Sequence, residues 1–301
     1  MKRRIIIDTD PGKDDAAAIL LALANPELEI LALTPVHGNV PLGKTERNAR
    51  ALLAMAGRTD IPVHPGCLRP MVRAPIHAAH VHGDTGLGAL ALPEPIVPAQ
   101  ADHAVAYLMR TLRTEPPGTI TICILGPATN LAVALVQAPD IADRIAEIVM
   151  MGGVIDGGGN VTASAEFNVY ADPEAARIVF ESGAAMTLVP LDLTHQIRLT
   201  PPVMDRLREV PTVCAQAVVR LFESDRAPPM HDPCVIAHLL RPDLFQGDRL
   251  HVAVEISGTL TSGMTVADRR PGAPAANATV LRSGDADAFA ALLIDGLKRL
   301  P

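Results

Sequence analysis

Short apolar runs alternate along the chain with longer segments in which apolar positions recur every three or four residues. Ile5–Asp8, Leu28–Val36, Thr119–Leu125, Glu147–Met151 and Met186–Leu191 are of the first kind and read as strands. Asp14–Ala24, Lys44–Ala56, Asp102–Leu112, Leu131–Gln137, Pro173–Ser182 and Ala215–Glu223 carry the helical period. Strand and helix in alternation build βαβ units. The pattern therefore predicts an α/β fold: an open, mostly parallel sheet with helices on both faces. There is no internal repeat and no low-complexity segment, and the Pro-rich stretches Leu92–Ala99 and Ala227–Pro233 are short enough to be loops. The expectation is one domain over residues 1–301, less regular after about residue 200, where added helices carry parts of the site.

Composition narrows the function without naming it. At 301 residues, 49% of them hydrophobic and 20% charged, the chain suits a globular protein with a sizeable core. The net charge is −7 and no run of Lys and Arg is present, so the footprint of a nucleic-acid binder is missing and a small molecule is the expected ligand. No apolar run approaches a membrane span, and Ile5–Ile7, behind a basic start, is too short for a signal sequence. Cys67, Cys123, Cys214 and Cys234 lie far apart with no Cys-x-x-Cys pair, which fits neither a disulfide framework nor a zinc knuckle. A reducing cytoplasm is the expected compartment.

The first predicted strand ends in Asp8-Thr9-Asp10-Pro11-Gly12-Lys13-Asp14-Asp15, four carboxylates within eight residues. In open α/β sheets ligands bind at the C-terminal ends of strands. Like charges packed this closely need a cation or hydrogen-bond donors, and oxygen ligands at this density suit Ca²⁺ or Mg²⁺ better than zinc. Helix capping accounts for Asp14 or Asp15 but not for Asp8 and Asp10, which precede the Pro-Gly turn. An EF-hand loop counted from Asp8 needs Gly and Glu where Lys13 and Ile19 stand. A haloacid dehalogenase-type phosphatase, with Asp8 as nucleophile, shares the Asp-x-Asp pair; it expects Thr or Val where Gly12 stands.

The loops after the other strands are unusually polar for so apolar a chain. They carry His37-Gly38-Asn39, Gly126-Pro127-Ala128-Thr129-Asn130 with a helix capped by Thr129 or Asn130, the glycine-rich stretch to Asn160, Glu166-Phe167-Asn168, and Asp192. Several amides and one Glu converging on Asp10 suit a polyhydroxylated ligand such as a sugar better than a phosphate.

Taken together, the Asp8–Asp15 motif, the His37-Gly38-Asn39 loop, the stretch from Asn160 through Glu166-Phe167-Asn168-Val169-Tyr170-Ala171-Asp172-Pro173, and His231-Asp232-Pro233 resemble the inosine/uridine-preferring nucleoside hydrolases over most of the chain. The resemblance implies cleavage of the N-glycosidic bond of ribonucleosides to free base and ribose, a tightly held Ca²⁺, and a homodimer or homotetramer. By matching position it implies that Asp10, Asp15 and Asp232 bind calcium with the carbonyl of Leu125, and that Asp14, Asn39, Asn160, Glu166 and Asn168 hold the ribose hydroxyls.

Such chemistry is consistent with the residue types. N-glycoside cleavage passes through an oxocarbenium-like ribosyl cation, and a carboxylate such as Asp10 can act as general base toward the attacking water. On the leaving-group side the candidates are His231, beside Asp232, and His82 in the glycine-rich His82–Gly88 stretch, expected to be a mobile loop. The spacing of His77, His80 and His82 shows no strong helical pattern, so a loop is favoured over a zinc cluster. With no Trp and two Tyr in the chain, base stacking is left to Phe167, to the histidines or to apolar contacts. Paired histidines resemble the pyrimidine-cleaving members. A non-catalytic nucleoside or ribose sensor would keep the same cage and amides without turnover.

Overall fold

A computed structural model describes residues 2–301. Eight strands form one sheet in the order β2-β1-β3-β4-β5-β8-β6-β7, where β1 is Arg3–Thr9, β2 Leu28–Pro35, β3 Ile120–Ile124, β4 Ile145–Met151, β5 Met186–Val189, β6 Phe245–Val254, β7 Thr265–Asp268 and β8 Ala278–Gly284. All pairings from β2 across to β8 are parallel; β6 runs antiparallel to β8 and to β7. Among the described residues no helix is long and apolar enough to cross a membrane.

The predominantly apolar character of the central strands follows from burial on both faces. In β1, Ile5 and Ile7 join a core with the helices Lys13–Leu23, Leu42–Met55, Val213–Phe222, Pro233–Leu240 and Ala286–Leu297, while Ile6 joins a second core with Ala104–Thr114, Thr129–Gln137 and Pro173–Phe180. Strand alternation thus sends neighbouring residues into opposite layers.

The five predicted strands and six predicted helices are present, with ends moved by a few residues. The helix predicted at Leu131 begins at Thr129; its cap is Ala128 rather than Thr129 or Asn130, and the Asn130 amide instead donates to Asp8 Oδ2 at 2.9 Å. Residues Ala79–His82 form a helical turn where a loop was expected. The region after residue 200 is more regular than expected: besides helices it contributes β6, β7, β8 and the long helix Ala286–Leu297. These strands, at the partly exposed end of the sheet, carry polar residues at many positions and so lack the apolar run that marks the central ones.

The strand order fixes where a ligand fits. The chain leaves β1 to one side for β2, then crosses to the other side for β3, and the helices that follow β1 and β3 pack on opposite faces. At such a switch point a crevice opens above the strand ends. Asp10 directly follows β1 and Leu125 directly follows β3.

Candidate active site

Pro11 and Gly12 end the pairing of β1, and the carboxylate of Asp15 caps the next helix by accepting from the Gly12 N–H at 3.0 Å. Asp15 also accepts from the Thr9 hydroxyl at 2.6 Å, the Asp10 N–H at 3.1 Å and the Asn39 amide at 3.2 Å. The Asp10 carboxylate sits between two glycines: a Cβ on Gly38 would lie 1.9 Å from Oδ2, and one on Gly126 2.4 Å from Oδ1. Oδ2 accepts the Asn39 N–H at 2.6 Å, whereas Oδ1 is buried without a partner.

One cavity of about 600 Å³ opens at this point, lined among others by Asp14, Asn39, His82, Leu125, Asn160, Glu166, Phe167, Asn168, His231 and Asp232. Carboxylate oxygens of Asp14, Asp15 and Asp232 lie within 4.8 Å of one another. Asp10 is outside that trio yet close enough to bear on Asp232. Burial first, then neighbouring charges, pushes these carboxyls upward, strongly for Asp10 and Asp232 and also for Asp15. An all-oxygen donor set, mutual repulsion and the orphaned Asp10 Oδ1 together fit a hard divalent cation.

Asp8, the fourth acid of the motif, takes no part. It is fully buried, bonded to the Thr34 hydroxyl at 2.6 Å and to Asn130, and does not line the cavity. A phosphatase using Asp8 as nucleophile has no access to it.

Across the cavity, Glu166 caps the helix Phe167–Ala171 by accepting from the N–H groups of Asn168 at 2.8 Å and Val169 at 3.1 Å, and it also accepts from the Gly153 N–H after β4 at 2.9 Å. Burial outweighs these bonds and raises its carboxyl to about 7. The Asn168 amide nitrogen is tied to the carbonyls of Leu125 at 2.6 Å and Met151 at 3.2 Å, which leaves its oxygen for a ligand. Asn160 accepts from the Phe167 N–H at 2.9 Å, which leaves its NH₂.

The third wall carries the histidines. His82 Nδ1 accepts from the Lys13 N–H at 3.1 Å, which leaves Nε2 as the ring nitrogen free to donate. Lys13 is paired through Nζ with Asp225 at 3.1 Å. His231 Nδ1 lies 2.8 Å from the Thr194 hydroxyl, and burial lowers the ring to about 4. Two ring-bearing residues on the lining were given no role from the sequence: His195, whose ring is 5.8 Å from that of His231, and Phe222; His80, read there only as part of a loop, lines the cavity as well. Topology is the signal that finds His195, because it closes the turn after β5, at the same sheet end as Asp10. His77, by contrast, is bonded to the Gly38 carbonyl and does not line the cavity.

Comparison with known proteins matches this geometry to a family. The sequence profile of the inosine-uridine preferring nucleoside hydrolases aligns with residues 5–291. The chain belongs to that family. It is 41% identical to the inosine-uridine preferring nucleoside hydrolase of Crithidia fasciculata, over all of this chain and 99% of the relative. It is 44% identical to the pyrimidine-specific ribonucleoside hydrolase RihA of Shewanella baltica (strain OS155), covering 99% and 97% of the two chains. Among solved structures, the purine-preferring ribonucleoside hydrolase of Gardnerella vaginalis superposes with a TM-score of 0.91 at 30% identity, over 98% of each chain. As a nucleoside hydrolase, the protein acts on N-glycosyl compounds.

Proposed function

We propose that this nucleoside hydrolase cleaves ribonucleosides to free base and ribose with a bound Ca²⁺, and prefers pyrimidine nucleosides. The observation that carries the reading is one cavity with a carboxylate cluster and Asn39 on one wall and Asn160, Glu166 and Asn168 across from them. Asp10, Asp15 and Asp232, with the carbonyl of Leu125, would hold the ion. When bound, Ca²⁺ polarises the sugar hydroxyls and the attacking water.

The remaining work belongs to the chain. The carboxylate of Asp10, kept ionised beside the ion, takes the proton of the water. Asp14 and Asn39 bind the lower hydroxyls of the ribose, and Glu166, Asn160 and Asn168 bind the upper part, an orientation effect that contributes several kcal/mol. Phe167 and Phe222 close on the base, and His82 and His231 offer it polar contacts. The pyrimidine preference is supported by the RihA relatives at 42–44% identity and by the two histidines on that wall.

The test is release of ribose from uridine, cytidine, inosine, adenosine and deoxyuridine, by chelator-stripped protein with and without added Ca²⁺. Expected are calcium-dependent turnover, uridine and cytidine ahead of the purines, and deoxyuridine poorer than uridine by roughly 10⁴-fold, because the sugar pocket is built to bond a hydroxyl. Full activity in the stripped protein would overturn the metal assignment. Purines ahead of pyrimidines would overturn the preference, and efficient cleavage of deoxyuridine would overturn the sugar contacts.

A further inference from the structure

The wall that carries His231 contains a contact that fixes where a proton sits. Thr194 ends the helical turn Leu191–Thr194 that follows β5, and its side chain is fully buried. Its Oγ1 lies 2.8 Å from His231 Nδ1, and among the described residues the hydroxyl has no other hydrogen-bond partner. His231 Nε2 has no protein partner either, yet it is not sealed from solvent, and the residue lines the cavity.

Only two arrangements satisfy the short contact. In one, the Thr194 O–H donates to a Nδ1 lone pair, and the single ring proton is on Nε2. In the other, Nδ1–H donates to Oγ1, and the hydroxyl hydrogen is then buried with no acceptor, an arrangement native interiors avoid. An imidazolium falls in the second class, since both of its nitrogens carry hydrogen.

We infer that Thr194 is a positioning residue that donates to Nδ1 of His231 and so presents the neutral imidazole's Nε2–H to the departing base. The inference rests on the reading of His231 as a leaving-group contact. It changes what that contact does. A neutral ring that gave up its only N–H would become an imidazolate, so the proton stays on Nε2. The glycosidic bond breaks with its electron pair going to the base, and the Nε2–H hydrogen bond stabilises that charge. The water oxygen bonds to C1′ and its proton passes to Asp10. The base then takes a proton from solvent and Asp10 returns one.

The test uses full-length, calcium-loaded protein labelled with ¹⁵N. Long-range ¹H–¹⁵N correlation, with the His231 signals identified by their loss in His231→Gln, is expected to show the Nε2–H tautomer. A Nδ1–H or doubly protonated ring in the wild type would overturn the inference, and this measurement needs no Thr194 variant to fold. Thr194→Val is expected to lose at least ten-fold more kcat/KM on uridine than on p-nitrophenyl riboside, whose leaving group departs without help, and Thr194→Ser to restore uridine cleavage. Equal losses on both substrates, with the tautomer unchanged, would overturn it as well. The parent reading fails separately, if His231→Ala loses equally on uridine and on the activated riboside; the ¹⁵N signature then decides the tautomer alone.

Discussion

His37 shows how a single side chain beneath the site ties its integrity to pH. The ring is fully buried; its Nε2 bonds to the Thr129 hydroxyl at 3.0 Å, that hydroxyl donates to Asp172 at 2.6 Å, and Nδ1 has no partner. Burial, and then the neighbouring His77, lower its pKa from 6.5 to about 4. As pH falls, the unfolded chain therefore takes up this proton first, and folding stability drops between about 6.5 and 4, by about 3 kcal/mol in total, and is flat outside that window. His37→Gln keeps the Nε2 donor and removes the titration. Urea midpoints at pH 7.5 and pH 4.5 are expected to fall further for wild type than for this variant; an equal fall would place the acid sensitivity elsewhere. Much at this scale was legible in the sequence. Every named metal and sugar candidate except the fully enclosed Asp10 and Asp15 lines the cavity, and those two meet at its floor. His195 and Phe222 were not legible, because nothing local marks them; only the folded sheet and its loops bring them to the cavity.

At the scale of elements, the turn after β5 links two walls of the cavity. Asp192, in that turn, accepts the N–H groups of Ile155 at 2.7 Å and Asp156 at 2.8 Å, and Asp156 is paired with Arg269 and Arg282. These bonds hold the glycine-rich loop leading to Asn160, while Thr194 two residues on holds His231. Asp192→Ala removes two hydrogen bonds to a charged acceptor without touching the cavity. The expected result is a KM for uridine raised roughly ten-fold with a smaller change in kcat. A fall in kcat with KM unchanged would show that the loop acts in the chemical step. The strands β1 to β5 were readable because two-sided burial writes them as mostly apolar runs. β6, β7 and β8 were not, since burial on one side leaves a mixed sequence that resembles loop, and their pairing joins residues far apart in the chain.

For the molecule as a whole, the carboxylate cluster is a stability defect that a bound cation, as proposed, would correct. Chelation is expected to lower the Tm of the calcium-loaded protein by roughly 5–10 °C, with recovery on adding calcium, as follows for an ion bound at a hundred or more times its Kd. An unchanged Tm would mean that the acids are stable without an ion. The seat of Asp10 has a consequence for how tolerance to mutation is distributed over the chain. Intolerance is commonly read as a sign that a side chain acts, and Gly38 and Gly126 have none. Yet any L-residue at either position puts its first carbon within 2.4 Å of an Asp10 carboxylate oxygen. In a saturation scan scored by uridine cleavage, Gly38→Ala and Gly126→Ala are expected to fall within ten-fold of Asp10→Ala. If either retains more than half of wild-type activity, the cradle is slack. On the expected result, two positions that carry no side chain rank among the most constrained in the protein, and a map of intolerance here outlines the negative image of a carboxylate.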